Sequence, residues 1–485
     1  MSAPEGARFV RYWRKMENTS LLAGLIFFIA FAGMILLHEL GHFLAALWLG
    51  IEVEEFGFGI PPRAWVFWRQ KGHLLTRSGK RIEIPREFGL PQFGWSEILN
   101  QELTLTVDRV EDQLILRTME VPSNEPAREP SKGGQILVDG NGVVVRPQSA
   151  RKTVQYGKTR GQEELREVIA ETHPGTEFTL NWLPIGGFVR PKGENDPKVP
   201  GGLSAASPWK RLGVLFAGPI MNLLTGFLVF VFLVNVDGYH DVTRVQLSAI
   251  APNSPAEAAG MRVNDVVVQA AGQPVTGMEA LSGIVKAHLG QPVEFVLQRG
   301  EQTLTVTATP RTDPPAGQGA VGIQMSEYIL PITTWGDTFR YAAVSVRDQA
   351  RAMLLLPAQL LRGTLSPQEG RFVGLKGIYD IFNLTVSTDV VSREQTPSSP
   401  SQSPTYSTLY LIATLTISIG LINLFPFPAL DGGRIIFVLP EMLTRRRVPP
   451  QFENAVHAAG MLILLLFMLY INVMDFVNPI ILPTP

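Results

Sequence analysis

His38, Glu39 and His42 fall in the run His38-Glu39-Leu40-Gly41-His42, inside an apolar stretch of a 485-residue chain. Residues four apart share one face of a helix, so both imidazoles can grip one metal ion. Glu39 sits beside them. It can act as general base toward a water that bound zinc brings to a pKa of about 7. The pattern predicts metal-assisted hydrolysis. A polar cluster that merely binds a neighbouring helix is the competing reading. Two His and a Glu inside an apolar helix are costly, however, unless they serve a function or find partners.

Two imidazoles make an incomplete site, because catalytic zinc usually takes three protein ligands and keeps one position for water. The chain has no cysteine, so disulfides and thiolate zinc sites are both excluded. The third ligand must be His, Asp or Glu. Asp431 is the best candidate, in the run Asn423-Leu424-Phe425-Pro426-Phe427-Pro428-Ala429-Leu430-Asp431-Gly432-Gly433. Taken alone, Asp-Gly-Gly after two prolines is turn chemistry. Paired with the first motif it reads as a ligand. His457 is the rival, but a lone His on a mostly apolar helix is more often packed and hydrogen-bonded.

The elements that must position these groups are membrane spans. A bilayer core about 30 Å thick needs roughly 20 apolar residues of helix. Four transmembrane helices are predicted, over 20–50, 210–236, 406–430 and 454–477. The first run is too long for a simple signal peptide and lacks its small-residue cleavage site. Arg434, Arg445, Arg446 and Arg447 lie in the short loop 431–453 and assign it to the cytoplasm. Both termini are then outside, 51–209 is cytoplasmic and 238–405 is outside. The basic tail 1–19 (Arg8, Arg11, Arg14, Lys15) argues the other way, unless it lies flat at the membrane surface. In this topology the first and third spans run in the same direction and carry their polar residues at the same depth. Lys+Arg (42) and Asp+Glu (43) nearly cancel, which leaves no nucleic-acid footprint.

With these motifs the chain resembles the site-2 protease family of intramembrane zinc metalloproteases, most of all the bacterial branch that cleaves anti-sigma factors. The H-E-L-G-H run and the N-L-F-P-F-P-A-L-D-G-G run carry the resemblance. Ala217-Gly218-Pro219-Ile220-Met221-Asn222 is similar to the family's G-x-x-x-N pattern. Leu183-Pro184-Ile185-Gly186-Gly187-Phe188-Val189 is similar to its Gly-Gly strand. The resemblance implies Zn2+ held by His38, His42 and Asp431, with Glu39 as base. It implies that Asn423 helps hold substrate. Asn222 is assigned to substrate too, with a helix-packing hydrogen bond as the equal alternative. Single-span membrane proteins are the implied substrates.

The stretch 69–177 departs from the family, being much longer than its usual short loop. Leu103–Val107 and Gln135–Val138 alternate like strands, and Asp139-Gly140-Asn141-Gly142 reads as a hairpin turn. A β-rich cytoplasmic insertion is expected, following a membrane-associated β-loop. Residues 238–325 contain Ser254-Pro255-Ala256-Glu257-Ala258-Ala259-Gly260-Met261 and then Asn264-Asp265-Val266-Val267, which looks like the signature of protease-associated PDZ domains. One extracytoplasmic PDZ-like α+β domain is expected, binding an extended peptide or C-terminus. The mixed segment 326–405 suggests a helix lying along the membrane, with Ser392–Pro404 as a flexible linker.

The fold class is therefore a polytopic α-helical membrane protein. Since a substrate span is hydrogen-bonded internally, it must unwind before cleavage. Gly186, Gly187 and Phe188 are expected to offer the edge to which it adds. An inactive PDZ-containing scaffold and a metal transporter are the alternatives.

Overall fold

The computed structural model describes residues 5–86, 88, 98–110, 113–122, 137–138, 143–144, 151–155, 162–194, 196–197, 199–315, 317–363, 371–394 and 405–479. Of residues 5–18, 121–122, 137–155, 162 and 185 it describes at most the backbone. The chain divides into two compact units. One comprises Met1–Gly226, Gln349–Thr396 and Leu411–Pro485; the other comprises Phe227–Asp348 and Pro397–Tyr410.

The first unit begins with α1 (Glu5–Trp48). This helix runs unbroken through the basic tail, and its stretch Thr19–Trp48 is long and apolar enough to cross a membrane. Two long strands follow as a bent pair, β1 (Val53–Arg69) and β10 (Glu177–Pro191). Residues 55–58 of β1 pair on one side with 187–190 and on the other with 177–180, which in turn pair with 65–69. The limb 187–190 is thus the end of the row.

Between the two strands lie β2 (Gly72–Thr76), β3 (Arg81–Ile84), β4 (Glu102–Val110), β5 (Gln113–Pro122), β6 (Leu137–Val138), β7 (Val143–Val144), β8 (Arg151–Gln155) and β9 (Gln162–His173). Six of them form one sheet in the order β3-β2-β9-β4-β5-β8. The alternation at Leu103–Val107 is strand β4: Leu103, Leu105 and Val107 are buried with Leu74, Ile82, Leu116 and Met119. The predicted turn 139–142 lies outside the described residues, as do 135–136; β6 and β7 on its two sides pair antiparallel.

Helix α2 (Pro208–Asp237) starts in the first unit and is the second helix able to span. The second unit holds β11 (Tyr239–Ile250), α3 (Pro255–Ala258), β12 (Val266–Ala270), β13 (Gln273–Pro274), α4 (Met278–Ala287), β14 (Val293–Arg299), β15 (Gln302–Ala308) and β16 (Ile323–Leu330). The sheet order is β15-β14-β12-β11-β16, around a core of Val245, Leu247, Leu281, Phe295 and Leu297. Asp265, just before β12, is fully buried and accepts two contacts from Arg299, at 2.7 and 2.8 Å, and the Arg262 N–H at 2.8 Å.

Where one amphipathic helix was expected there are two, α5 (Trp335–Arg362) and α6 (Leu375–Glu394). Ser392–Glu394 belong to α6 rather than to a linker; 395–404 lie outside the described residues. The first unit closes with α7 (Ser407–Asn423, continuing from the second unit), α8 (Asp431–Thr444) and α9 (Pro450–Val477). Helix α6 starts where it does because α9 caps it. Asp475 accepts the N–H groups of Gly374 and Gly377, and Asn472 accepts that of Leu375. Its side chains Tyr379 and Phe382 pack edge-on to Phe27 of α1.

Two predicted bounds need correction. The third span does not run to Leu430: α7 ends at Asn423, because Pro426 and Pro428 have no N–H for a continuing helix. With 17 residues it is shorter than the apolar stretches of 28–30 residues in α1, α2 and α9, which among the described residues are long and apolar enough to cross a membrane. The stretch 431–453 is not a loop, since most of it is helix α8.

Candidate metal centre

Helix spacing puts His38 and His42 on one face of α1, with their Nε2 atoms 3.1 Å apart. Asp431 is the first residue of α8 and lies 393 positions from His38 in sequence, yet meets both rings. Its Oδ2 lies 3.0 Å from His38 Nε2 and 3.3 Å from His42 Nε2. Donors on a tetrahedron with bonds of about 2.0–2.2 Å stand roughly 3.3–3.6 Å apart. The three atoms are within a few tenths of that spacing and converge on one point. Both rings are buried and the carboxylate is partly so. At the start of α8 the carboxylate also faces the positive end of a helix dipole.

The imidazoles are oriented from behind. His42 Nδ1–H donates to the Val214 carbonyl at 2.8 Å, which leaves the Nε2 lone pair free for a metal. Asn222, expected to meet substrate, is instead fully buried on α2, its amide 3.4 Å from His38 Nδ1. Its Oδ1 has no partner among the described residues.

Two glycines let α1 and α2 come this close. A Cβ at Gly218 would clash with His42 Nε2 and stand 2.8 Å from His38 Nε2. A Cβ at Gly41 would run into the Ala217 carbonyl. Gly432 and Gly433 do the same for the other arm, where a Cβ at either would strike the carbonyls of Phe425 or Phe427. The space is shaped for two imidazoles and a carboxylate around an ion, so the residues fit zinc.

Glu39 lies on the same turn of α1. Its Oε2 accepts the N–H of Val189 at 3.1 Å, from the row-end limb of β10. Gly186 (φ +76°) and Gly187 bring that limb onto α1: a Cβ on Gly186 would lie 2.8 Å from Ile35, and one on Gly187 3.1 Å from Leu36. A cavity of about 520 Å³ opens over the site, lined by His38, Glu39, His42, Phe188, Asn423 and Asp431 among others. The structure thus brings His38, Glu39, His42, Asp431, Asn423 and the Gly186–Phe188 limb together, and leaves Asn222 behind the ring. His457 is outside the donor group; its Nδ1 accepts the N–H of Ala429 at 3.0 Å.

Sequence reasoning missed Gly41 and Gly218 as site-forming residues. The available signal was small residues on both helices near the polar cluster, the pattern that permits close helix contact. It also missed the Val189 amide, which no side-chain pattern could reveal.

A sequence model of peptidase family M50 matches residues 26–76 and 165–467, well over half of the chain, and leaves out 77–164. Zinc metalloprotease RasP of Oceanobacillus iheyensis is 24% identical over 461 residues, covering 92% of this chain and 96% of its own. Metalloprotease MmpA of Caulobacter vibrioides is 28% identical over 330 residues, covering 61% and 81%. A solved PDZ domain of an SdrC-like protein from Listeria monocytogenes aligns with 17% of this chain and 85% of its own at 13% identity and a TM-score of 0.15. That score carries no fold argument. The family match and the buried His-His-Asp donor set agree. The chain belongs to peptidase family M50, as a multi-pass membrane zinc metalloprotease of the site-2 type that works with Zn2+.

Proposed function

We propose that this protease cuts the membrane-spanning segments of single-span proteins, an anti-sigma factor being one candidate class. The observation that carries the reading is the row-end limb 187–190 beside Glu39. A helix in lipid hides its carbonyls, so the substrate must be drawn out as a strand before it can be cut. Gly187, Phe188 and Val189 form the outer limb of the row within reach of the general base, and the Val189 N–H that Glu39 holds would pass to the added strand. Bound zinc supplies Lewis acidity and acidifies water. His38, His42 and Asp431 hold the ion. Glu39 takes the proton of the attacking water and returns it to the departing amine. Asn423, at the end of α7 on the cavity wall, donates to the extended substrate or to its developing oxyanion. Asn222 holds the His38 ring.

The Arg-rich segment after Asp431 supports a site near the cytoplasmic side, with residues 238–325 outside the cell. That unit reads as PDZ-like. Strand β16 is the end of its sheet, and a cavity of about 300 Å³ lies between Leu281 and Val285 of α4 and Ile323 and Met325 of β16. An extended peptide or C-terminus fits there as an added strand. Such a unit would admit substrates already trimmed outside, and deleting 238–325 should then let untrimmed substrates be cut. The reading as an inactive scaffold has no support, because the H-E-x-x-H motif and its third donor are complete. The deciding experiment is cleavage of a single-span reporter in liposomes. The wild type should cut within the span and Glu39→Gln should not. Equal cutting by both, or cutting confined to the loops, overturns the proposal.

A further inference from the structure

The arm that carries Asp431 has no long helix in front of it. Seven residues, 424–430, separate α7 from α8, and the backbone just ahead of the carboxylate is unusual. Ala429 has φ +84°, a conformation that L side chains rarely adopt. Something outside the loop must hold it there. Helix α9 touches it at two positions three residues apart, hence on one face. His457 Nδ1 accepts the Ala429 N–H at 3.0 Å. At Gly460 the helix comes so close that a Cβ would clash with the Pro428 side chain and stand 2.8 Å from its carbonyl oxygen.

We infer that His457 is a positioning residue, which fixes the Asp431 carboxylate by gripping the Ala429 amide. The inference rests on the zinc-protease reading of the site. Its chemistry follows from the bond. An N–H can only donate, so Nδ1 must hold a lone pair and the ring proton sits on Nε2. The ring works as a neutral acceptor, and ligand chemistry is not needed to account for it. Gly460 makes room for the loop to reach the ring. Together they convert a chain of turns into a rigid mount, two residues before the carboxylate that must meet two imidazoles at 3.0 and 3.3 Å. Partners that orient metal ligands typically change metal affinity 10–100-fold when removed.

The test uses full-length protein in detergent and two readouts, neither of them proteolysis. One is zinc affinity by competition with a chelator; the other is amide exchange of the peptide containing Ala429. His457→Asn places an amide oxygen where Nδ1 stands. His457→Gln is equally polar but carries its oxygen one bond further out. His457→Leu has no acceptor. We expect Asn to stay within about threefold of wild type, with Gln and Leu 10–100-fold weaker in zinc and faster in exchange at Ala429. Gly460→Ala should weaken zinc in the same direction. If Gln equals Asn, or Leu retains zinc like wild type, the positioning role is overturned. Should Leu not be recovered folded, the Asn–Gln pair decides alone. A wild type that binds no zinc would instead sink the underlying reading of the site.

Discussion

The two arms of the metal centre are built in opposite ways. His38 and His42 sit on α1, where one helical turn fixes their spacing and every backbone group near them is bonded locally. Asp431 sits at the junction of a proline-containing loop and α8, where no periodicity fixes anything. Its place is set by tertiary contacts: Gly432 and Gly433 against the loop carbonyls, and α9 against Pro428 and Ala429. The comparison teaches that the pair is disturbed mainly through what presses on the helix, whereas the carboxylate is disturbed through what holds its backbone.

The largest effect should come from removing a proposed ligand outright. Asp431→Ala should lose bound zinc, from about one ion per chain to near none, and with it all cleavage. Metal analysis of the purified protein reads this directly. Chelation of the wild type should abolish activity, and added zinc should restore it to the wild type but not to the variant. A variant that keeps its zinc would break the comparison, because the second arm would then contribute nothing.

Glu39→Gln comes next. The residue sits on the helical arm, beside the two imidazoles, but is not one of the proposed ligands. Zinc content should stay at the wild-type level while turnover of a membrane-spanning reporter falls about 10²–10⁴-fold. If zinc falls in parallel, Glu39 is acting on the ligands, and the base must be sought elsewhere in the cavity.

Gly218→Ala probes the helical arm from outside. The added methyl points at both Nε2 atoms, so zinc affinity should drop roughly a hundredfold although no ligand is changed. Gly213→Ala, five residues earlier on α2, is the control. There the nearest atom to a new Cβ is the end of the Leu49 side chain, which can move. Similar losses in both variants would mean that α2 tolerates no bulk at all, and the specific clash would lose its meaning.

How much of this could be read from the sequence follows the same division. That His38 and His42 share one face of a helix, with Glu39 beside them, was legible because a helix imposes a known period. The three longest apolar runs were legible because a bilayer demands their length. The strand at Leu103–Val107 showed itself by alternation. Asp431 was legible only by pairing two motifs, since a turn explains it as well. The irregular backbone after Asn423 was legible from Pro426 and Pro428, but the apolar run carried the bound of the span on to Leu430, past the end of α7. Helix α8 was missed because arginines in a short stretch read as a loop. The contacts of Gly41, Gly218 and Gly460 could not be seen in one dimension. A glycine that admits a neighbour looks like any other until the neighbour is known.

The smallest effect, and the finest test, lies behind His38. The Asn222 amide faces Nδ1 at 3.4 Å, and its Oδ1, fully buried, lacks a partner among the described residues. The two ends of an amide differ little in shape, so its orientation is judged by bonding. Turned about, Oδ1 would accept Nδ1–H, and Nε2 would keep its lone pair for the metal, as Val214 already arranges for His42. Asn222→Leu removes that acceptor and should weaken zinc about tenfold, at the low end for such a partner. Asn222→Asp keeps an acceptor and should hold zinc near the wild-type level. Were Leu and Asp to retain zinc equally well, the ring would be held by α1 and Gly218 alone, and the helical arm would need no help from α2 beyond its lack of a side chain.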